Sequence, residues 1–386
     1  MNHGGPSIHP EVKNLIGDIN PAVIYEVKNK IFGQTTKWLM GLERPAGFLI
    51  DCLFMLRPYS DAGTRTKLFG QVHVVFSGGT GIGKTDLCQS LFGSIDARFA
   101  RFSANPEMMP HDILGGPSWV EDETGNRKVQ FNPGKIFANG VLIDESSRMQ
   151  PKTKSAVLEA MEESAVTPNN QYIDEAHKVK DVIPLFPITG DINDTGAPYF
   201  FMVLFTNNPF EEEGGTYPDT RAELDRLTLT IPIERPTLEK EKMIRSRNVA
   251  GKSIERVSNL REILACAHWI SENVTIHPRT DEYMTQILRN TDPDPKVTDP
   301  DSKLGRFLKE FVEFGASPRV NLHLETVARV RAFSEGDSVV RPEHVKAVVP
   351  NLILHRLFLK PGKEFQISKE EVLQHILELT ELPKWI

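Results

Sequence analysis

Eight consecutive residues, Gly78-Gly79-Thr80-Gly81-Ile82-Gly83-Lys84-Thr85, have the spacing G-x-x-x-x-G-K-[ST]. They follow a short β-branched run, His73-Val74-Val75-Phe76, and precede a helical run, Leu87 to Phe92. Between a strand and a helix, such a loop turns its backbone N–H groups inward around phosphate oxygens. Glycine supplies φ values that a Cβ forbids, and the helix N-terminus adds partial positive charge. Lys84 is spaced to reach the β- and γ-phosphates, and Thr85 to offer its hydroxyl to Mg²⁺.

Two carboxylates stand after a second apolar run, Val141-Leu142-Ile143-Asp144-Glu145. At the carboxyl end of a buried strand, ligands of open α/β sheets bind. Asp144 is placed to hold the Mg²⁺ through its water shell, and Glu145 to orient and polarise an attacking water. A third run, Phe200 to Phe205, ends in Thr206-Asn207-Asn208-Pro209. A neutral amide there can hydrogen-bond a γ-phosphate or the water without adding charge. Asp122-Glu123-Thr124-Gly125 has a D-x-x-G spacing, but no strand precedes it and no N-K-x-D follows, so the match is chance.

The elements that must position these residues follow from periodicity. The three apolar runs read as parallel strands, and a helix after Pro151 (Ala156, Val157, Ala160, Met161) separates two of them, which implies an α/β sheet. Helical spacing also runs from about Pro21 to Leu56. Residues 105–137 and 168–198, rich in Gly, Pro and charge, read as insertions without regular structure. Beyond Pro236 the chain reads as helices alone: Leu238 to Asn248, Leu260 to Asn273, Asp281 to Arg289, Leu322 to Phe333 and Pro342 to Phe358. Thr291 to Ser302 is a polar surface loop, and Ser368-Lys369-Glu370-Glu371 is a capping box for a last helix.

Composition sets the outer bounds. Forty-five basic residues against 52 acidic ones leave a net charge of -7, which argues against a nucleic-acid binder driven by bulk charge. Cys52, Cys88 and Cys266 have no C-x-x-C spacing, so neither a zinc site nor a disulfide framework is expected. The start of the chain lacks the basic-then-apolar pattern of a leader, and Ala46 to Leu56 is about half the ~20 residues that span a bilayer. The expectation is a cytoplasmic protein with no membrane insertion.

Longer segments carry a family resemblance. Ile143 to Glu163 (IDESSRMQPKTKSAVLEAMEE), Asn208 to Arg226 (NPFEEEGGTYPDTRAELDR), Gly315 to Arg319 (GASPR) and Arg341 to Leu357 (RPEHVKAVVPNLILHRL) resemble stretches of MoxR-type AAA+ ATPases, in the clade with an insert in the second helix. The likeness implies an ATP- and Mg²⁺-dependent hydrolase with a P-loop core, a parallel sheet flanked by helices, followed by an all-helical lid. It implies boundaries at 1–65 for an N-terminal helical extension, 66–236 for the core, 237–360 for the lid and 361–386 for a helical tail. It assigns Asn208, directly before Pro209, as the first sensor, Arg226 as an arginine finger reaching a neighbouring subunit, and Arg319 as the second sensor, on the γ-phosphate. Self-assembly into a hexameric ring or spiral follows, as does a partner carrying a von Willebrand factor A domain and a remodelling or assembly task on an unidentified client. A nucleic-acid motor and a nucleotide-gated scaffold are the competing readings.

Four departures accompany the likeness. Thr80 stands where the family has proline and Leu227 where it has phenylalanine. The apolar segment Ala46 to Leu56 and the insertion containing Val182 to Ile188 are additions, expected to serve assembly or client contacts.

Overall fold

The computed structural model describes residues 10–60, 67–79, 81–121, 127–167, 172–173, 179–180, 183–185, 199–207, 217, 219–246 and 253–382. By contact the chain divides into two units. The first holds Met1–Leu53, Pro58–Asp219 and Ile231–Cys266; the second holds Phe54–Arg57, Thr220–Thr230 and Ala267–Ile386.

One sheet has five strands: β1 (Val74–Ser77), β2 (Phe99–Ser103), β3 (Gly140–Asp144) and β4 (Met202–Asn207), all of the first unit, and β5 (Leu229–Pro232), which runs across the division at Thr230. Their order is β5-β1-β4-β3-β2. β4 pairs in parallel with β1 (Asn207 opposite Ser77) and with β3 (Phe205 opposite Ile143), and β2 pairs in parallel with β3 (Ser103 opposite Asp144). All of β3 and β4 through Thr206 is buried, as a strand covered on both faces must be. β2 is an edge strand with one buried residue, Phe102.

Three buried polar side chains seal the amino end of the sheet. The Phe201 N–H donates to Gln71 Oε1 (3.0 Å), and the Val203 N–H donates to His73 Nδ1 (3.1 Å). His73 Nε2 lies 3.2 Å from the Met161 carbonyl, so the imidazole is the neutral tautomer with its proton on Nε2. Asn139 accepts from Arg98 N–H and donates to the Phe200 carbonyl.

Helices α1 (Pro10–Ile16), α2 (Pro21–Thr36) and α3 (Glu43–Leu53) precede the sheet. Asn20 caps α2 through the Val23 N–H, with Pro21 at the first helical position. Ile24, Val27 and Ile31 are buried, and α2 packs on α4 (Lys84–Ser94), the helix after the glycine loop. The apolar addition expected to serve assembly is instead interior: Ala46, Leu49, Ile50, Cys52 and Leu53 of α3 are at most 2% exposed.

Residues 105–137 are a correction, since they form a helical turn, Pro110–Leu114, and an antiparallel hairpin pairing Gly115–Glu121 with Arg127–Pro133. Gly115 and Gly134 are close-approach positions rather than loop markers: a Cβ on Gly134 would stand 2.1 Å from the Ile113 carbonyl oxygen. The D-x-x-G match at Asp122 to Gly125 lies outside the described residues. Most of 168–198 does too, but Ile183–Pro184 pairs antiparallel with Ala165–Val166. Ile183 and Leu185, members of the apolar stretch expected to contact partners, are buried within the fold.

The second unit contains α6 (Arg221–Arg226), α7 (Val320–Ser334), α8 (Pro342–Ile353) and the helices Pro278–Arg289, Lys303–Phe311 and Lys369–Leu379. It is not purely helical. Thr275–Ile276 pairs with Val339–Val340, and Val312–Phe314 with Phe358–Leu359. The stretch read as one helix from Pro342 to Phe358 stops at Ile353, tightens to a 3₁₀ turn through Arg356 and enters that second pair. Thr291, read as surface, is fully buried, and its hydroxyl accepts the Ala316 N–H. The Ser368–Glu371 capping box is formed.

Gly140 opens β3 beneath Phe92, where an added Cβ would lie 2.4 Å from the ring. Phe92 is fully buried and stacked on Phe99, with no room to retreat. Gly140→Ala is expected to lower stability by about 1–3 kcal/mol, read as a shift in the urea unfolding midpoint.

Candidate active site

The glycine loop bridges β1 and α4, as its spacing predicts. Gly78, Gly81 and Gly83 have φ of +151°, +74° and +87°, values that require glycine. Gly78 is fixed a second way, because a Cβ there would lie 2.3 Å from the Ile233 carbonyl oxygen. A Cβ on Gly79 or Gly81 would meet nothing within 4 Å. Lys84 Nζ donates to the Gly78 carbonyl (2.8 Å) and thereby folds back over the loop. Thr85 follows in the first turn of α4, half-buried, and Ile82 is half-buried as well. Thr80 lies outside the described residues.

Asp144 ends β3 and is nearly buried; Glu145 follows with φ +56°, a left-handed conformation uncommon for a residue with a Cβ. This turn ends the strand and begins the short 3₁₀ helix Ser146–Arg148. The Glu145 carboxylate is partly exposed and has Arg148 Nε at 3.5 Å. Thr206 ties the two acids together, its hydroxyl donating to Asp144 Oδ1 (3.2 Å) while accepting the Glu145 N–H (3.0 Å).

Arg101, which sequence reasoning missed, pairs with Asp144: its Nε stands 2.6 Å from Asp144 Oδ2. It sits on the edge strand β2, two residues before the partner of Asp144 in the register. Nothing local in Phe99 to Ser103 marks it, because the pairing depends on which strand lies beside β3.

Asn208, assigned as first sensor, lies outside the described residues. Its neighbour Asn207 is engaged: its Oδ1 accepts the Ser146 hydroxyl, and its Nδ2 donates to Asp219 Oδ2 (3.0 Å). Asp219 in turn pairs with Lys154 of α5 (Pro151–Glu163), and the Tyr217 N–H donates to the Ser147 carbonyl (2.7 Å). Lys154 is 4% exposed, so the ion pair is sheltered from water.

Arg226 and Arg319 both belong to the second unit. Arg226 is the last residue of α6 and half-buried; Arg319 is exposed at the start of α7. Gly315, the first residue of its loop, is pressed against Thr291, where a Cβ would meet the carbonyl oxygen at 2.2 Å. Arg221 lies over the Phe314 ring, 4.8 Å from its centroid, a cation–π contact within the same unit.

The donor set fits a nucleotide and its metal. A cradle of positive-φ glycines at a helix N-terminus suits phosphate, and the Thr85 hydroxyl with the Asp144 carboxylate is the all-oxygen set that Mg²⁺ takes. Among the described residues no helix is long and apolar enough to cross a membrane.

Comparison with known proteins agrees with this geometry. Residues 73–183 match the model of the ATPase family associated with various cellular activities (AAA), and residues 308–376 match the AAA lid domain. The uncharacterized protein YeaC of Bacillus subtilis is 28% identical, covering 82% of this chain and 87% of that protein. Chaperone MoxR1 of Mycobacterium tuberculosis is also 28% identical, covering 82% and 76%. Protein MoxR of Methylorubrum extorquens is 24% identical, covering 82% and 88%. A crystal structure of an ATPase candidate from Cytophaga hutchinsonii shares the fold with a TM-score of 0.72, covering 94% of this chain and 98% of that one at 24% identity.

Removing one member of a buried pair strands the other, so Lys154→Met is expected to cost about 3–5 kcal/mol in chemical unfolding. Adding Asp219→Leu should return part of that loss, since no buried charge is then left alone.

Proposed function

We propose, for a chain that belongs to the MoxR family of AAA+ ATPases, that it hydrolyses ATP at the edge formed by the glycine loop, Asp144 and Glu145, and that it does so as an assembly. The observation that carries the reading is the parallel register. It sets the end of β1, where the loop starts, and the end of β3, which carries the two acids, on either side of β4.

Each residue has a distinct task. The loop amides and Lys84 bind the β- and γ-phosphates, holding the γ-phosphorus in line for attack. Thr85 and Asp144 would hold Mg²⁺, which when bound neutralises charge on the phosphate oxygens. Arg101 is the group that this role for Asp144 would displace. Glu145 orients the water and draws on its proton as oxygen closes on phosphorus. The bond to the bridging oxygen breaks and ADP carries that oxygen away. Asn208 is proposed to steady the water or the γ-phosphate.

Developing charge also needs a cation opposite the loop. Arg226 is proposed to supply it from a neighbouring subunit, and Arg319 to read the γ-phosphate from the lid. A trans arginine contributes on the order of a thousandfold, so self-association is part of catalysis. A head-to-tail hexameric ring or spiral lets each copy face the next. The relative named Chaperone MoxR1 supports a chaperone-like remodelling task. A von Willebrand factor A domain protein is the proposed partner, and the cytoplasm the proposed setting. Nucleic acid is disfavoured by the net charge of -7.

Glu145→Gln is expected to keep nucleotide affinity, to lower turnover by about 10²–10⁴-fold and to accumulate the assembled state, measured by phosphate release, nucleotide titration and light scattering. Unchanged phosphate release would remove Glu145 from the mechanism. The wild-type rate per chain should rise with protein concentration, and Arg226→Ala should abolish that rise while leaving nucleotide bound.

A further inference from the structure

Arg356 is the largest fully buried side chain in the described residues, 1% exposed, and it lies in the 3₁₀ turn that ends α8. Its Nε pairs with Asp225 Oδ1 at 3.5 Å. Its terminal nitrogens go to backbone carbonyls. Nη1 donates to Thr228 (3.1 Å) and Leu352, and Nη2 to Leu227 and, at 3.4 Å, to Asp225. Three of these four carbonyls surround the end of α6, the helix whose last residue is Arg226. Burial lowers the guanidinium to about 10, with Asp225 opposing and Arg319 adding to the fall, so it stays charged at neutral pH.

A buried cation cannot leave such partners without stranding its own charge and their lone pairs. The end of α6 must therefore move with the end of α8. Asn351 reinforces the join by donating to the Thr230 carbonyl (2.8 Å). α8 packs along α7, which begins immediately after Arg319.

We infer that Arg356 is a positioning residue for Arg226, clamping the finger helix to the lid so that the lid state of one subunit sets the aim of the arginine it offers to the next. This rests on the trans role proposed for Arg226. A guanidinium shifted by an ångström or so loses on the order of a hundredfold in rate, which sets the expected effect.

The experiment measures phosphate release at saturating ATP, with nucleotide affinity in parallel, for Arg356→Met, Arg356→Lys and Arg226→Ala. Each is measured alone and mixed with excess full-length Lys84→Ala, which has a disabled loop but an intact Arg226. Arg356→Met should slow release by about a hundredfold with affinity held within about twofold. The Lys84→Ala subunits should restore most of the lost rate, because they present a correctly held finger to the variant's own site. Arg356→Lys keeps the charge but not the fork, and should show a smaller loss with the same rescue; it carries the test if the Met variant does not fold. Wild-type rates in both Arg356 variants would overturn the proposal. So would a loss that Lys84→Ala fails to rescue while Arg226→Ala is rescued, since Arg356 would then act only within its own subunit. If Arg226→Ala itself runs at full rate, or is not rescued, the trans finger fails first and takes the role of Arg356 with it.

Discussion

Parallel pairing confines chemistry to one edge of the sheet. β3 short of Asp144 and β4 short of Asn207 are fully buried, so a charged group there would face neither water nor a partner. Only where the strands run out can carboxylates and amides stand, and parallel register makes β1, β3 and β4 run out together. The glycine loop, Asp144 with Glu145, and Asn207 are three such endings. The amino edge shows the opposite treatment. There His73, Gln71 and Asn139 spend their polar atoms on backbone groups, which closes that side and leaves one edge for ligands.

The carboxyl edge of the sheet is tied by a run of hydrogen bonds. Thr206 joins Asp144 to the backbone of Glu145, so the two acids cannot shift independently. Ser146, Asn207, Asp219 and Lys154 continue the chain of contacts from the end of β3 to α5 and to the residue just before Thr220, the cap of α6. In a sheltered site such a network is stiff when every member is satisfied and costly when one is removed. The left-handed Glu145 fits this picture: a strained backbone persists where its surroundings over-determine it.

Legibility in the sequence follows the range of the interaction. The loop Gly78 to Thr85 and the pair Asp144-Glu145 are contiguous, and their chemistry depends on neighbours in the chain, so residue order alone reveals them. The capping boxes at Thr220 and Ser368 are local in the same way, though only the second was read. β2 escaped because an edge strand needs only one buried residue and Phe99 to Ser103 shows no run. The hairpin at 115–133 escaped because glycines that permit close contact look like loop glycines. Arg101 with Asp144, Lys154 with Asp219 and Arg356 with the end of α6 are long-range, and no spacing rule announces a partner that only folding brings near. The family resemblance singles out Arg226 and Arg319 but carries nothing about the contacts around them.

Leu227 is where that difference matters most. A smaller residue in place of the family's phenylalanine would loosen a helix held by side-chain volume. Within α6 itself little volume is available for this: among its six residues none is buried, although Leu227 just past its end is. Its start is fixed by the Thr220–Glu223 capping box, its flank by Arg221 over Phe314, and its end by the fork of Arg356 on the carbonyls around Leu227. Packing tolerates a change of contour, whereas hydrogen bonds weaken steeply with angle and so constrain direction. Guanidinium suits the task better than ammonium, because its donors are rigidly spread and can grip several carbonyls at once. Leu227 is itself buried, so its side chain packs at the helix end, while its backbone carbonyl, an atom that every residue type supplies, takes the Arg356 guanidinium.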